Sequence, residues 1–308
     1  MPEPFTFTHY CDTIELCKIE RTHRVHDKKR KYFPWIYERM ITMSKLSIIG
    51  AGNMGYAILS GIINSGICRP EEIAVADKSE SCRARAGSLG VRVYESAAEA
   101  VSGAEYVILA VKPQGFGDIS REIAPSLKKG VVITSILAGK RIETYKAAFG
   151  NDAKIIRVMP NTPAMAGIGM SGLCRNANVS DDEFAFILSV FGSFGKAREV
   201  PEGLMDTVTG ISGSGPAYVY MFISGLIKAA VKNGMSEADA KIFAIQTVLG
   251  SAKLAMESED SPEQLKIKVC SPGGTTIEAV KVFEECGLED IIVRAVDACI
   301  NRSKELSK

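Results

Sequence analysis

Histidine is the most telling scarcity in this chain. The 308 residues hold three, His9, His23 and His26, and none follows position 26. Imidazole is the commonest general acid–base at neutral pH, so chemistry carried by the rest of the chain has to run without it. A dehydrogenase that relies on histidine to protonate the alkoxide formed from a 2-keto acid is thereby excluded for that region. Tryptophan occurs once, at Trp35. Excess charge is lacking too: 37 basic against 36 acidic residues leave +1, which removes the electrostatic case for nucleic acid or a membrane surface as partner. No apolar run reaches the roughly 18 residues that a membrane helix needs. The longest, 218–230 and 241–254, are broken by Gly225, Lys228, Gln246 and Gly250. The eight cysteines (11, 17, 68, 82, 174, 270, 286 and 299) form no C-x-x-C pair, so a zinc or thioredoxin-like site is not indicated and no metal is expected. Scattered thiols of this kind suit a reduced, cytoplasmic protein.

What is present divides in three. Residues 1–43 hold every histidine, the tryptophan and the basic run Lys28-Lys29-Arg30-Lys31, which reads as a solvated patch. They are expected to be an N-terminal appendage, either disordered or a misassigned start ahead of Met43-Ser44. Over 44–201, apolar strands (46–50, 73–77, 91–94, 106–111, 131–137, 154–159) alternate with helix-like segments (53–65, 80–89, 97–101, 116–127, 141–149). Continuously apolar strands joined by helices describe a Rossmann-type α/β domain, a doubly wound parallel sheet covered on both faces. Strands at 168–174 and 197–200, with a helix at 181–194 between them, are expected to extend it. Over 202–308 strand signals vanish and the pattern is helical at 215–233, 236–257, 275–286 and 289–307. Helices this apolar need cover, so a dimer through this second domain is expected.

Two glycine-rich turns carry the chemistry. Gly50-Ala51-Gly52-Asn53-Met54-Gly55 follows a strand, opens a helix, and is trailed by Asp77 at the end of the next strand. In that context the turn reads as a pyrophosphate cradle: Gly50 for the tight turn, Gly52 for close approach of the phosphate, Gly55 for helix–strand packing. Asp77 suits the ribose hydroxyls of NADH, whereas Lys78 and Ser79 suit the 2′-phosphate of NADPH, so either cofactor fits. Ala110-Val111-Lys112-Pro113 and the stretch 135–139, which contains Ala138, lie at carboxyl ends of strands, where such sheets bind ligands. The second turn, Cys270-Ser271-Pro272-Gly273-Gly274-Thr275-Thr276, opens a late helix and aims backbone N–H groups and hydroxyls at one point, which suits a carboxylate. A dinucleotide cradle and a carboxylate cradle in one chain indicate a redox enzyme for a small acid. An imine fits the missing histidine best. Protonated beforehand it is already electrophilic, and the site mainly has to position the C=N bond.

The 271–276 turn with Ala279, Val280, Phe283 and Glu284 resembles the signature of pyrroline-5-carboxylate reductases. The resemblance extends through Gly50–Gly55, Ala110 to Pro113, Met159-Pro160-Asn161-Thr162-Pro163 and Asp206-Thr207-Val208-Thr209-Gly210-Ile211-Ser212-Gly213-Ser214-Gly215-Pro216-Ala217-Tyr218, and covers 44–305 in order. It implies that Ser271, Gly274, Thr275 and Thr276 hold the substrate carboxylate, with the Thr276 hydroxyl near the ring nitrogen as the catalytic group. It places Glu202 close to the ligand and Asn161 with the cofactor residues. It also implies homodimers with sites shared between subunits, and larger rings of dimers. Many relatives carry Asn where this chain has Ala97 and Lys268. The activity implied is NAD(P)H-dependent reduction of 1-pyrroline-5-carboxylate to L-proline. The alternatives are reduction of another cyclic imino acid and a non-catalytic dinucleotide-binding relative; both glycine turns are intact, against the latter. A β-hydroxy acid dehydrogenase would use a lysine such as Lys228 or Lys232, which the hydroxyl-rich turn fits less well.

Overall fold

The computed structural model describes residues 44–307, so the expectation for 1–43 lies outside the described residues. The first domain runs β1 (Leu46–Ile49), α1 (Asn53–Ser65), β2 (Ile73–Ala76), α2 (Glu80–Gly87), β3 (Arg92–Tyr94), α3 (Ala97–Val101), β4 (Tyr106–Leu109), α4 (Phe116–Ile123), β5 (Val132–Ser135), α5 (Ile142–Phe149), β6 (Lys154–Met159), β7 (Gly169–Arg175), α6 (Asp181–Gly192) and β8 (Gly195–Glu199). They form one eight-stranded sheet in the order β3-β2-β1-β4-β5-β6-β7-β8. The central strands are aliphatic on both faces because both faces are covered. On one face Ile48, Ile108 and Ile156 meet Ile58 and Ile62 of α1 and Phe184, Ile187 and Phe191 of α6. On the other, Ile49, Leu109, Ile133 and Ile155 meet Phe116 of α4 and Tyr145 of α5. Each such side chain, once fully buried, contributes about 1.5–3 kcal/mol.

One departure from the expected parallel sheet occurs at β7, which runs antiparallel to β6, while β8 returns parallel to β7. The physical cause is the length of the connection. Residues 160–168 hold only a 3₁₀ turn, Thr162–Ala166, whereas a parallel return needs a crossover of about a dozen residues or more. Between β7 and β8, α6 supplies that crossover.

The second domain is helical: α7 (Met205–Val208), a π turn (Thr209–Gly213), α8 (Gly215–Lys232), α9 (Glu237–Glu257), α10 (Pro262–Val269), α11 (Thr275–Glu285) and α12 (Leu288–Leu306). Helix α10 was not anticipated, although Ser261-Pro262-Glu263-Gln264 carries a complete capping box with proline at the first turn. Helix α12 returns across the joint between domains. A Cβ on Gly210 would lie 2.6 Å from Ile300, and one on Gly139 only 3.2 Å from the Leu306 carbonyl. The domain's apolar faces are otherwise uncovered within one chain. No residue of α8, α10 or α11 is buried, while Met221, Ile242 and Phe243 are 75%, 66% and 64% exposed. A contiguous apolar surface of this kind is the signature of a subunit interface. Among the described residues, no helix is long and apolar enough to cross a membrane.

Candidate active site

The first glycine turn leaves β1 and opens α1. Gly50 adopts φ +102°, and a Cβ there would sit 2.6 Å from the Ala110 carbonyl. A Cβ on Gly55 would sit 2.0 Å from the Gly50 carbonyl, so Gly55 lets helix and turn touch. Gly52 differs: its φ is −60° and a Cβ would meet nothing within 4 Å. Neither strain nor packing in this chain requires glycine at 52, and the space it leaves open is where a pyrophosphate would approach the backbone. No side chain caps α1, although serines cap α3, α6, α9 and α10. The N–H groups and positive dipole end of α1 therefore remain available to an anion. The cradle fits a dinucleotide.

Asp77 helps build this turn. Its carboxylate accepts hydrogen bonds from the Ala51 N–H at 2.7 Å and the Ser79 N–H at 2.8 Å. The N-cap of α2 is Ser79. Two arginines that the sequence reading passed over complete the surroundings. Arg83 donates to the carbonyls of Asp77 and Lys78; Arg85 donates to the Ala51 carbonyl and lies over the Tyr56 ring. Their signal was two arginines six and eight residues after Asp77. Asn53 and Lys78 are exposed and Met54 half-buried beside the turn.

The other anticipated cofactor residues gather at the carboxyl ends of neighbouring strands. Ala110 donates to the Ile49 carbonyl beside the glycine turn. Val111 and Pro113 are half-buried and Lys112 is exposed, all just beyond β4. Ala138, beyond β5, is exposed as well. Asn161, beyond β6, bridges the domains: its side chain accepts from the Met170 N–H at 2.9 Å and donates to the Ser212 hydroxyl at 3.2 Å. At Ala97, the backbone N–H donates to the Glu122 carboxylate at 2.8 Å, so α3 is already capped there.

The second glycine turn closes with the Gly274 N–H donating to the Ser271 carbonyl at 3.0 Å. Gly273 takes φ +70° with open space around it, while a Cβ on Gly274 would sit 2.3 Å from the Ser271 hydroxyl oxygen. No side chain caps α11, whose N-cap is Gly274. The amides of Thr275 and Thr276, with the Ser271 and Thr276 hydroxyls nearby, thus form an open anion cradle at a helix start. Lys268 pairs with Asp260 at the edge of this turn.

The anticipated residues fall into two groups. The residues around Gly52, Asp77, Ala110, Ala138 and Asn161 converge on one edge of the sheet. The 271–276 turn belongs to a helix whose packing partner is α12, and it makes no hydrogen bond to the sheet domain. Glu202 joins neither. Its carboxylate accepts from the Ile142 N–H at 2.7 Å and from Arg157 at 3.3 Å, both in the first domain. Among the described residues no cluster of three or more metal-ligating side chains exists.

Comparison with known proteins agrees with this arrangement. Residues 202–306 match the family model for pyrroline-5-carboxylate reductase dimerisation, and residues 45–139 match that for NADP oxidoreductase, coenzyme F420-dependent. The pyrroline-5-carboxylate reductase of Escherichia coli (strain K12) is 44% identical over 265 residues, covering 86% of this chain and 98% of the relative. That of Synechocystis is 43% identical over the same coverage. Among solved structures, a pyrroline-5-carboxylate reductase from Coxiella burnetii superposes with a TM-score of 0.82 at 33% identity, covering 86% of this chain and 99% of the other. The Plasmodium falciparum pyrroline carboxylate reductase with NADP bound gives 0.78, also at 33%, covering 87% and 99%. With both glycine turns, both domains and relatives of this similarity matched along almost their full length, the chain belongs to the pyrroline-5-carboxylate reductase family.

Proposed function

We propose that this protein reduces 1-pyrroline-5-carboxylate to L-proline with NAD(P)H, as a homodimer through its helical domain. The observation that carries the reading is the pair of glycine-rich turns, 50–55 and 271–276, each opening a helix that no side chain caps (α1 and α11), in a chain without histidine beyond residue 26. The α1 start and Gly52 hold the pyrophosphate. Ala110, Val111, Lys112, Pro113, Ala138 and Asn161 line the path from there to the domain joint. When bound, the reduced nicotinamide supplies the hydride. Overall, one hydride and one proton add across the C=N bond, giving a secondary amine and the oxidised cofactor. Ser271, Gly274, Thr275 and Thr276 hold the carboxylate and so orient the ring. The Thr276 hydroxyl steadies the ring nitrogen as its charge changes. A pre-protonated imine asks for positioning more than for proton transfer, which explains how backbone amides suffice.

Within one chain the two cradles sit on elements that do not pack together, so each site is built from two subunits, with the 271–276 turn facing the nucleotide edge of the partner. Assembly of these dimers into a larger ring, and residence in the cytoplasm, belong to the same proposal. The latter is supported by six unpaired cysteine thiols among the described residues.

NADPH is the preferred cofactor in this reading. The Asp77 carboxylate is engaged by Ala51 and Ser79, while Lys78 remains exposed with no side-chain partner among the described residues. Steady-state assay of the full chain with pyrroline-5-carboxylate against each cofactor tests both points. Consumption of reduced cofactor only in the presence of the imino acid, with a higher kcat/KM for NADPH, is expected. Folded protein that turns over neither cofactor overturns the catalytic reading; a preference for NADH overturns only the assignment of Lys78.

A further inference from the structure

A cavity of about 690 Å³ lies at the joint between the domains, and neither glycine turn contributes to its lining. It is walled by Arg141 and Arg157 from the sheet domain and by Glu202, Asp206, Lys304 and Glu305 from the joint and α12. Two of these groups are largely buried charges that line the cavity and have one polar partner each. Arg157 is 4% exposed, yet its guanidinium makes a single hydrogen bond, to Glu202 at 3.3 Å. Asp206 is 8% exposed, and its carboxylate is met only by the Ser303 hydroxyl, at 2.6 Å. Among the described residues no cation lies within the 4.0 Å of an ion pair from Asp206, and Arg157 and Asp206 do not pair with each other.

Burying a charge is costly unless an opposite charge or several hydrogen bonds compensate it. Here Arg157 has one ion-pair partner, Glu202, Asp206 has none among the described residues, and the two do not neutralise each other. The rim repeats the pattern. The Arg141 and Lys304 side chains have no intramolecular partner among the described residues, while Glu305 is held by Arg302. The six lining groups carry three positive and three negative charges, so a ligand of net charge finds as much repulsion as attraction. A ligand carrying both signs on adjacent atoms satisfies both buried groups at once.

We propose that this cavity binds a free α-amino acid as its zwitterion, the carboxylate on Arg157 with Arg141 and the ammonium on Asp206. The cavity exceeds the backbone of an amino acid and leaves room for its side chain. Recognition falls on the two groups common to all neutral α-amino acids, so a small one serves as probe. Because the cavity bridges α5 and β6 to α12, and Leu306 of α12 packs on Gly139 beside Ala138, occupancy links the joint to the edge that lines the cofactor. The site is separate from the catalytic reading and stands without it.

Calorimetric titration of the full-chain oligomer with L-alanine, acetate and methylammonium tests this. L-alanine is expected to bind at least about tenfold more tightly than either fragment, and Asp206→Asn to weaken it about tenfold, as loss of one charge-assisted contact requires. Arg141→Ala, on the exposed rim, is expected to weaken binding in the same direction and covers the case in which Asp206→Asn fails to fold. Thr276→Ala leaves L-alanine binding unchanged. The proposal is overturned by the absence of L-alanine binding, by equal affinity for acetate, by insensitivity to both joint variants, or by loss of binding with Thr276→Ala, which would assign it to the catalytic cradle. Turnover of pyrroline-5-carboxylate is measured separately, so failure of one reading leaves the other standing.

Discussion

The three glycines of the first turn have three different physical reasons for being glycine, and substitution separates them. A Cβ at 55 is driven to 2.0 Å from a backbone carbonyl, so Gly55→Ala is expected to destabilise the fold by about 1–3 kcal/mol, read as a lower urea midpoint. A Cβ at 52 meets open space, so Gly52→Ala should leave that midpoint nearly unchanged while raising the Kd for NADPH about tenfold or more by crowding the phosphate. Equal effects of the two on stability would contradict the assignment. At the other cradle, Thr276→Ala is expected to lower kcat/KM by about 10–1000-fold, with the loss in kcat if its hydroxyl acts in the transition state. All three positions were legible from the motif alone. Arg83 and Arg85 were not, because their partners are backbone carbonyls of the turn and the Tyr56 ring, which only the fold brings beside α2.

Among the elements, helix starts divide by what closes them. Serine closes α3, α6, α9 and α10, while α1 and α11, the two helices that open from the glycine-rich turns 50–55 and 271–276, stay open. Sequence periodicity located most helices within a few residues, since their faces repeat every 3.6 residues. It missed α10, whose apolar face has no cover in the chain, and it took β7 as parallel because strand direction is set by the length of the connection. Burial also leaves a mark on the elements of the first domain, on α5 and β7. It pushes the Tyr145 hydroxyl and the Cys174 thiol up to about 12, from ordinary values of 10.0 and 9.0. Both stay neutral in the folded chain at a pH where the unfolded chain has ionised. The stability they contribute is therefore complete below about pH 9 and lost as pH rises from there towards 12. Urea midpoints should fall through that window in the native protein, and less steeply in Cys174→Ala once its own cavity cost is subtracted.

At the scale of the whole molecule, the uncovered faces of α8, α9 and α11 suit a subunit interface, and the proposed sharing of each site between two subunits accounts for the separation of the two cradles. Mixing Gly52→Glu chains with Thr276→Ala chains, with unfolding and refolding to exchange subunits, should raise activity above that of either variant alone. In a shared-site dimer one site of each mixed dimer carries neither change, so recovery approaches about one quarter of the native level. If each site were built within one chain, no mixed dimer would hold an intact one, and activity would not rise above the mean of the two variants.

Local chemistry was enough to give the layered α/β plan and to single out the two glycine-rich helix starts proposed as anion cradles. Glycine at a helix start, alternating apolar strands and the lack of imidazole act over a few residues and need no distant partner. Other features depend on groups far apart in the chain. Glu202 closes α5 and holds Arg157 from 60 and 45 positions away, Asn161 spans the joint to Ser212, and the buried charges of Arg157 and Asp206 line one cavity between the domains. Spacing along a chain cannot specify which distant groups meet, because that is decided by how the sheet, the returning α12 and the partner subunit pack.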